Sequence, residues 1–169
     1  MSSLFQVVAE QDTPIGGATY NQLHREGLRH RIVRVMIEDG EGNILLQRRT
    51  SSAPLFPNCL DNSAAGHVDE GEAYEAAAQR ELAEEVGITG VTLHEVKHYK
   101  TNGRFEGRIL KRWNKLYTAI VPKKTEIRLQ LDEVQCVRWV SRHELQELIK
   151  RHSEQVSDGL VEAYEMQYR

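Results

Sequence analysis

The sequence predicts one domain of the α/β class, or α+β by the order of its strands and helices, in which helices pack on the faces of a mixed β-sheet. Three observations lead to this prediction. Strand-like runs come first and are followed by one helical segment, further strand-like runs and two closing helical segments. Of the 169 residues, 40% are hydrophobic and 28% are charged, as expected of a domain with its own core. No repeat and no long linker rich in Pro, Gly or Ser divides the chain.

Residues 1–30 are predicted to form an appendage of a short strand, a turn and a short helix. Phe5 to Ala9 has strand character, while residues 13–17 combine a proline with two glycines and predict the turn. Tyr20 to Glu26 predicts the helix, and Gly27 ends it in the position of a C-cap.

A β-hairpin is predicted after this appendage. Its strands cover residues 32–37 and 44–47, and the glycine-rich segment 39–42 has the length of a connection between antiparallel strands. Residues 50–60 contain two prolines and several small residues, which predicts a loop. A short strand is expected to follow near residues 62–65.

The clearest helix pattern covers Glu72 to Val86. This segment is dense in Ala, Glu, Leu and Arg, lacks Gly and Pro, and is followed by Gly87, where a C-cap is expected. Turn signals follow at Asn102-Gly103 and at Pro122-Lys123. They separate three further predicted strands, which cover residues 91–99, 108–121 and 134–140.

The C-terminal segment 141–169 is predicted to contain two helices. Ser141 precedes Glu144 by three residues, a spacing typical of a capping box, and the first helix is expected to run to about His152. The second helix is predicted over residues 158–167 and closes the chain.

Composition and charge argue against several classes of function. The 22 Lys and Arg residues stand against 25 Asp and Glu residues, so a net charge of −3 disfavours binding to a nucleic acid polymer or an anionic membrane. The N-terminus lacks the pattern of a signal peptide, and no apolar run is long enough for a membrane span. The two distant cysteines, Cys59 and Cys136, favour a reducing compartment, and we expect a cytoplasmic protein.

One segment places acidic residues at a spacing that predicts chemistry. From Gly66 it reads GHVDEGEAYEAAAQRELAEEVGI, and Glu81, Glu84 and Glu85 fall within about 100° of one face of the predicted helix. Carboxylates this close repel one another, and a divalent cation relieves the repulsion. Because hard oxygen ligands suit Mg²⁺ or Mn²⁺, the sequence predicts a metal site on this face.

The rest of the helix supports this interpretation. Arg80 lies four residues before Glu84 and is placed to hold that carboxylate, while Gly66 allows a tight turn whose carbonyl approaches the metal. An apolar stripe is expected to fix the helix to the sheet and to leave the glutamates free, and it consists of Ala78, Leu82 and Val86. The alternative is an exposed charged face without chemistry, which the run RELAEE alone would favour.

The complete segment decides against that alternative, because it matches the Nudix box, G-x5-E-x7-R-E-U-x-E-E-x-G-U, at every position. The chain therefore resembles the Nudix hydrolase superfamily. This resemblance implies an α/β/α sandwich around a mixed sheet, with a loop and helix formed by residues 66–88. It also implies a divalent metal ion and the cleavage of diphosphate linkages in nucleoside diphosphates that are linked to a group X.

The resemblance assigns roles to residues of the box. Arg80 joins the catalytic set by supporting the loop and helix together with Glu72. The metal, Mg²⁺ or alternatively Mn²⁺, would neutralise the diphosphate and lower the pKa of an attacking water, with a carboxylate as general base. The metal ligands implied in this way are three carboxylates and one backbone carbonyl, those of Glu81, Glu84, Glu85 and Gly66.

A narrower resemblance links the chain to Nudix proteins related to isopentenyl diphosphate isomerase. The similar positions are residues 28–31, 47–49, 56–57 and 62–67. These isomerases hold a metal with histidines that resemble three residues of this chain, namely His24, His30 and His67. Isolated histidines are more often surface or hydrogen-bonded core residues, so both interpretations of this set stay open.

Isomerase chemistry itself is not expected. It needs an acid/base pair that includes a cysteine and a glutamate, whereas Ala64, followed by Ala65, stands where the cysteine would be. Lys115 occupies the position that resembles the isomerase glutamate. Cys59 lies on the preceding loop and is expected to be a small apolar filler.

Other candidates for binding substrate lie outside the box. Arg48 and Arg49 end a predicted strand and could clamp a diphosphate, but adjacent strand residues point to opposite faces, so at most one is expected to do so. A basic stretch over residues 104–115 could meet substrate phosphate or a partner surface, but a solvated strand face is the favoured interpretation. Glu133 is interpreted as a turn carboxylate rather than as a catalytic base.

Three functions remain to be compared. The leading hypothesis is a Mg²⁺-dependent hydrolase whose partner is a small-molecule diphosphate. The alternatives are an isomerase of isoprenoid diphosphates and a catalytically silent module that binds a nucleotide, although three converging glutamates argue against silence. The sequence identifies neither the group X nor the oligomeric state, and a homodimer is one option.

Overall fold

The computed structural model describes residues 3–169 and confirms the predicted mixed α/β architecture. These residues form nine strands, four α-helices and a short 3₁₀ turn over Ser153–Gln155. The strands are β1 (Phe5–Val8), β2 (Pro14–Ala18), β3 (His30–Glu38), β4 (Asn43–Arg49), β5 (Leu60–Asp61), β6 (Ala64–His67), β7 (His94–Phe105), β8 (Arg108–Ile120) and β9 (Val134–Ser141). The helices are α1 (Tyr20–Glu26), α2 (Tyr74–Val86), α3 (Arg142–Arg151) and α4 (Asp158–Tyr168).

Strand β3 is the centre of the sheet. It pairs in parallel with β8 and antiparallel with β1, β4 and β6, so the sheet is mixed. Within the described chain, β3 and β4 pair only where Ile37 meets Leu45 and Glu38 meets Ile44. Beyond these positions β3 continues along β6, whereas β4 continues along β5 and β9. The two central strands therefore separate, and the sheet opens between them.

Helices cover both faces of the sheet and complete the α/β/α sandwich. On one face, Val33 and Val35 of β3 pack with the apolar stripe of α2, whose members Ala78, Leu82 and Val86 are fully buried as predicted. On the other face, Met36 packs with residues of α3 and α4, including Leu145 and Leu160. Truncating a buried leucine such as Leu82 to alanine costs about 2–5 kcal/mol, so this stripe holds α2 firmly on the sheet.

The predicted turn over residues 13–17 is wrong, because Pro14–Ala18 forms strand β2 and pairs with β1. The chain reverses earlier, at Asp12, which has a positive φ of 62°. The edge of β1 then supplies the backbone partners that a sequence pattern does not reveal. Strand β1 also pairs with β3 where Val7 meets His30, so the N-terminal strands belong to the same sheet.

The predicted turn at Asn102-Gly103 is also wrong. Both residues lie inside β7, paired with Lys111 and Leu110 of β8, and the chain turns instead at Glu106-Gly107. Those two residues have positive φ angles of 44° and 81°, as a tight two-residue hairpin requires. The Asn102 side chain accepts a hydrogen bond from Arg29, so a distant contact uses the polar group that suggested a turn.

Several element boundaries differ from the prediction for local reasons. Helix α2 begins two residues late, at Tyr74, because the Glu72 carboxylate accepts from the Asp69 N–H. The strand expected near residues 62–65 is divided into β5 and β6. The Ser141 hydroxyl caps α3 by accepting from the Glu144 N–H, but the Glu144 carboxylate pairs with Arg138 instead of completing a capping box. The turn at Pro122 is confirmed by a bond from the Thr125 N–H to its carbonyl.

Within residues 3–169, no helix has both the length and the apolar character of a membrane span.

Candidate active site

A cleft of about 590 Å³ opens where β3 and β4 separate. The Nudix-box helix α2 lines it on one side, and the loop over residues 50–56 lines another. Strand β6 and the start of α4 also contribute, so residues from most parts of the chain meet in one place. The box residues that line the cleft are Gly66, Arg80, Glu81, Glu84 and Glu85.

The helical spacing brings the three glutamates to the cleft in different environments. Glu85 is 3% exposed and Glu81 is 8% exposed, whereas the Glu84 side chain is 53% exposed. Burial raises the pKa of Glu81 to about 7, against the opposing charge of Arg80. Burial also raises the pKa of Glu85 well above its ordinary value, and the Glu81 charge adds to the effect. Two buried carboxylates that resist ionisation side by side fit a site that a cation would occupy.

Arg80 joins the loop of the box to its helix. Its guanidinium donates to both carboxylate oxygens of Glu72 at 2.9 Å, and to the His67 carbonyl at 3.0 Å. It also donates to Glu81 at 2.7 Å and lies 3.4 Å from Glu84. The expected contact of Arg80 with Glu84 is present, but the contacts of Arg80 with Glu72 and Glu81 are shorter. Arg80 therefore fixes the Glu81 carboxylate and the start of the loop at the same time.

Glu85 is held by neutral donors from the sheet. One carboxylate oxygen accepts from the Ala65 N–H at 2.9 Å and from the Gln47 amide at 2.8 Å. Gln47 is 2% exposed and was given no role from the sequence, where it belongs to the positions similar to the isomerase-related subgroup and directly follows the apolar pair Leu45 and Leu46. Its β4 position becomes informative only after β4 and α2 are brought together.

Gly66 is required by the close approach of Glu81. A Cβ atom at this position would collide with the Glu81 carboxylate. The backbone of β6 therefore lies directly against the Glu81 carboxylate at Gly66. The carbonyl of this same glycine was expected to assist metal binding. Carboxylate oxygens beside a backbone carbonyl oxygen form a set of ligands that suits a hard divalent cation.

The two candidate arginines of β4 have different surroundings. Arg49 lines the cleft, donates to Asp61 at 3.0 Å and to the Leu55 carbonyl at 2.8 Å. Arg48 donates to the Asn58 carbonyl at 2.6 Å and is not among the cleft residues. The alternation of side chains along β4 thus leaves Arg49 as the arginine that a substrate in the cleft could meet.

The basic stretch over residues 104–115 is not simply a solvated face. Lys111 is exposed, but Arg112 is 5% exposed, lines the cleft and donates to Asp158 at 2.9 Å. Lys115 points to the other face of the sheet, where it pairs with Glu95 at 2.9 Å. The prediction failed for Arg112 because its partner comes from α4, which is distant in sequence.

Glu133 lies in a turn, as predicted, but also lines the cleft. Its negative charge contributes to the raised pKa values of Glu81 and Glu85 across the opening. The Glu133 carboxylate therefore faces the same space as the Nudix-box glutamates. The interpretation of Glu133 as a simple turn residue did not include this position in the cleft.

Three histidines form a compact cluster beside the cleft. One ring nitrogen from each of His24, His30 and His67 lies within 4.8 Å of the others. The Nδ1 atoms of His24 and His30 lie 3.3 Å from the Ile109 carbonyl and 2.9 Å from the Leu28 carbonyl. Because a carbonyl only accepts, these Nδ1 atoms carry the protons and the Nε2 atoms keep lone pairs.

The cluster has the properties of a neutral ligand set. All three Nε2 atoms are buried without a hydrogen-bond partner among the described residues. Burial lowers the pKa of His30 to about 3 and that of His67 well below its ordinary value, and it also lowers the pKa of His24. Uncharged imidazoles with free lone pairs suit Zn²⁺ or another late transition metal.

The chain is similar to known proteins over most of its length. The model of the NUDIX domain matches residues 28–160. The Nudix hydrolase YfcD of Escherichia coli (strain K12) is 34% identical over 139 residues, covering 82% of this chain and 74% of YfcD. The isopentenyl-diphosphate Delta-isomerase 2 of Photorhabdus laumondii is 31% identical over 150 residues, covering 88% of this chain and 83% of the isomerase.

A solved structure extends the comparison to nearly the whole fold. DR0079 from Deinococcus radiodurans superimposes with a TM-score of 0.82 at 23% identity, covering 98% of this chain and 99% of that chain. Enzymes of the matched family generally use divalent metals such as Mg²⁺ and act on substrates linked to nucleoside diphosphates. With a family match over most of its length and a complete box that lines its cleft, the chain belongs to the NUDIX family and is a Nudix hydrolase.

Proposed function

We propose that the protein is a Mg²⁺-dependent hydrolase that cleaves a diphosphate linkage in a substrate of the type nucleoside diphosphate linked to X. The observation that carries this proposal is the position of Glu81, Glu84 and Glu85 along one side of a single cleft. Two of these carboxylates are buried and have raised pKa values, so a cation would compensate them. A diphosphate is itself anionic, and it approaches such a surface only with a cation between them.

The chain supplies the ligands and the groups that hold them. Glu81, Glu84 and Glu85, with the Gly66 carbonyl, would bind the metal. When bound, this metal neutralises diphosphate charge and acidifies a water molecule. Arg80 orients Glu81, while Gln47 and the Ala65 N–H orient Glu85. These second contacts keep the ligands in place before substrate arrives.

Two further residues complete the proposed reaction. The Glu133 carboxylate faces Glu81 and Glu85 across the cleft, so it is placed to accept the proton of the attacking water as general base. Arg49 reaches the same space with its guanidinium held by Asp61 and Leu55. A guanidinium fixed in this way binds diphosphate oxygens at little entropic cost.

The histidine cluster is proposed as a second metal site. Its three unpartnered Nε2 atoms are softer ligands than carboxylates, so they would take Zn²⁺ or Co²⁺ rather than Mg²⁺. Titration with Co²⁺ tests this proposal by its visible absorption spectrum. His30→Ala should abolish the signal, whereas replacement of the exposed His143 by alanine should leave it unchanged. A spectrum that is equal in both variants would contradict the assignment.

Two alternatives have less support. An isomerase would need an acid/base pair that includes a cysteine in the cleft, but among residues 3–169 no cysteine lines it. The Cys59 thiol donates to the Glu154 carbonyl. The side chains of Ala64 and Ala65 have no ionisable group, and Lys115 lies on the other face of the sheet, where it pairs with Glu95. A catalytically silent nucleotide-binding module would have no need of buried carboxylates, because burial disfavours their ionised form.

A substrate screen tests the proposal directly. Nucleoside diphosphate sugars, dinucleotides, nucleoside triphosphates, coenzyme A and isopentenyl diphosphate would each be incubated with protein and Mg²⁺, and phosphate products would be measured. We expect hydrolysis of at least one nucleotide compound and no dimethylallyl diphosphate from isopentenyl diphosphate. Isomerisation that falls when Cys59 is replaced by serine would overturn the hydrolase proposal.

The expected setting is a reducing compartment such as the cytoplasm. Cys59 and Cys136 are both free thiols, which supports this part of the proposal. The partner is a small-molecule diphosphate, since a net charge of −3 gives no attraction to nucleic acid or to an anionic membrane.

A further inference from the structure

Two buried arginines line the cleft without a role in the reaction described above. Arg34 of β3 is 4% exposed and Arg112 of β8 is 5% exposed, yet both contribute to the cleft surface. They belong to the sheet and pack towards α4, whereas the Nudix-box carboxylates project from α2. A buried guanidinium is rare unless its charge and its N–H groups are used.

The contacts within the chain use only part of their hydrogen-bonding capacity. Each guanidinium has five N–H donors. Arg112 donates from Nη1 to Asp158 at 2.9 Å, while its Nε is buried without a partner. Arg34 donates from Nε to Asn114 at 3.2 Å, and its Nη2 lies 3.6 Å from Glu162. Among the described residues, the buried Arg112 Nε–H is therefore a donor that no acceptor of the chain satisfies.

We infer that Arg34 and Arg112 form a subsite for a terminal phosphoryl group of the substrate. A phosphoryl group offers several oxygens in the geometry that two guanidinium forks match, and charge-assisted bonds to it are strong. Burial lowers the pKa of Arg112, the Asp158 charge opposes this effect and the Arg34 charge adds to it, so an anion that meets both guanidinium groups would offset their burial and mutual repulsion. This inference rests on the proposed function and specifies its substrate.

The enclosure of the two side chains indicates a terminal rather than an internal group. A Cβ atom on Gly159 would collide with the Arg34 guanidinium, so the first turn of α4 closes directly over it. Arg112 is held from the same turn by Asp158. A substrate that reaches these arginines has no room to continue beyond them. The structure thus favours compounds that end in a phosphoryl group, such as nucleoside triphosphates, over nucleoside diphosphate sugars that end in a neutral sugar.

The local charge balance agrees with this choice. Asp158 pairs with Arg112, and the charges of Glu162, Asp158 and Asp61 all stabilise the Arg34 cation, which allows both arginines to remain buried before substrate binds. The subsite therefore recognises its ligand by directed N–H groups more than by net charge. A neutral hydroxyl-bearing group would accept fewer of these bonds and would leave donors unpaired.

Binding of inorganic phosphate and of pyrophosphate to the full chain in EDTA tests the subsite without any catalytic step. We expect calorimetry to show binding to the wild type and at least tenfold weaker binding to Arg112→Met. Lys111→Met removes an exposed cation from the adjacent position of the same strand and should bind like the wild type. Because Arg112→Met leaves Asp158 unpaired and can unfold the protein, Arg112→Lys is measured beside it. This variant keeps the charge, loses the fork and should also bind less tightly.

Kinetics separates this inference from the proposed function. If the protein hydrolyses both compound types, Arg112→Lys should raise KM at least tenfold for a nucleoside triphosphate and leave KM for a nucleoside diphosphate sugar unchanged. If no hydrolysis occurs, the proposed function fails while the phosphate titration still tests the subsite. Absence of phosphate and pyrophosphate binding to the wild type, or equal affinity in a folded Arg112 variant, would overturn the subsite.

Discussion

The side-chain amide of Gln47 donates a 2.8 Å hydrogen bond to the carboxylate of Glu85, and it thereby connects strand β4 to the Nudix-box helix. Both residues are almost fully buried, at 2% and 3% exposure. Gln47 also donates to the Ser63 carbonyl at 3.2 Å, which fixes the direction of its amide. The position of a proposed metal ligand thus depends on a neutral residue outside the motif.

Replacement of Gln47 by leucine tests this dependence. The variant keeps the size of the side chain but removes the donor, so Glu85 loses orientation. We expect activity to fall by roughly 10–100-fold, together with a rise in the Mg²⁺ concentration needed for half-maximal rate. Gln155→Leu, at an exposed glutamine, is the matched control. A lower rate at an unchanged Mg²⁺ requirement would mean that Gln47 has only a structural role.

Gly66→Ala should damage the metal site because the new methyl group collides with the Glu81 carboxylate. We expect weaker Mg²⁺ binding by calorimetry and a loss of hydrolysis, with retention of the overall fold in circular dichroism. Gly103→Ala is the control, since its added Cβ would lie 4.0 Å from the nearest atoms. If both variants bind Mg²⁺ as the wild type does, Mg²⁺ binding does not depend on the position of the Glu81 carboxylate against β6.

Asp61→Asn should destabilise the protein in a pH-dependent way. Burial raises the pKa of the Asp61 carboxyl, but the charges of Arg49 and Arg34 and the Ser157 hydroxyl outweigh this effect and leave the pKa below its ordinary value of 3.8. A carboxyl whose pKa is lower when folded contributes stability that is fully present above the unfolded pKa. That contribution disappears as pH falls through the folded pKa.

Urea unfolding at pH 7 and pH 3 measures this effect. We expect the free energy of unfolding of Asp61→Asn to be about 2 kcal/mol below that of the wild type at pH 7. The difference should shrink at pH 3, below the ordinary carboxyl pKa of 3.8, because the unfolded chain there binds a proton more readily than the folded protein does. A difference that grows towards acid pH would show that the Asp61 charge does not stabilise the fold.

The Nudix-box helix could be predicted from the sequence because its information is local. A period of 3.6 residues places Leu82 and Val86 against the sheet, and it places Glu81 and Glu85 at the cleft edge. The motif also determined the family correctly, since its spacing reflects the same helix geometry. Local periodicity does not show how deeply each carboxylate is buried.

The errors concern pairings between distant segments. Asn102-Gly103 has the composition of a turn, yet it lies inside a strand because β8 continues alongside it. Arg112 looks like part of a solvated basic face, yet Asp158 of α4 pairs with it inside the cleft. Arg29, which donates to Asn102, lies 73 residues away and Asp158 lies 46 residues from Arg112, so propensity and charge patterns contain no signal for these contacts.

The central claim is that Glu85 binds a catalytic metal, and the most direct test is the Mg²⁺ dependence of hydrolysis in the wild type and in Glu85→Gln. Substitution of a ligand to a metal that activates water acts on the transition state. We expect no turnover of the wild type in excess EDTA, recovery with Mg²⁺, and a kcat reduced by roughly 10²-fold or more in the folded variant. Undiminished turnover in EDTA, or a folded Glu85→Gln variant as active as the wild type, would contradict the account.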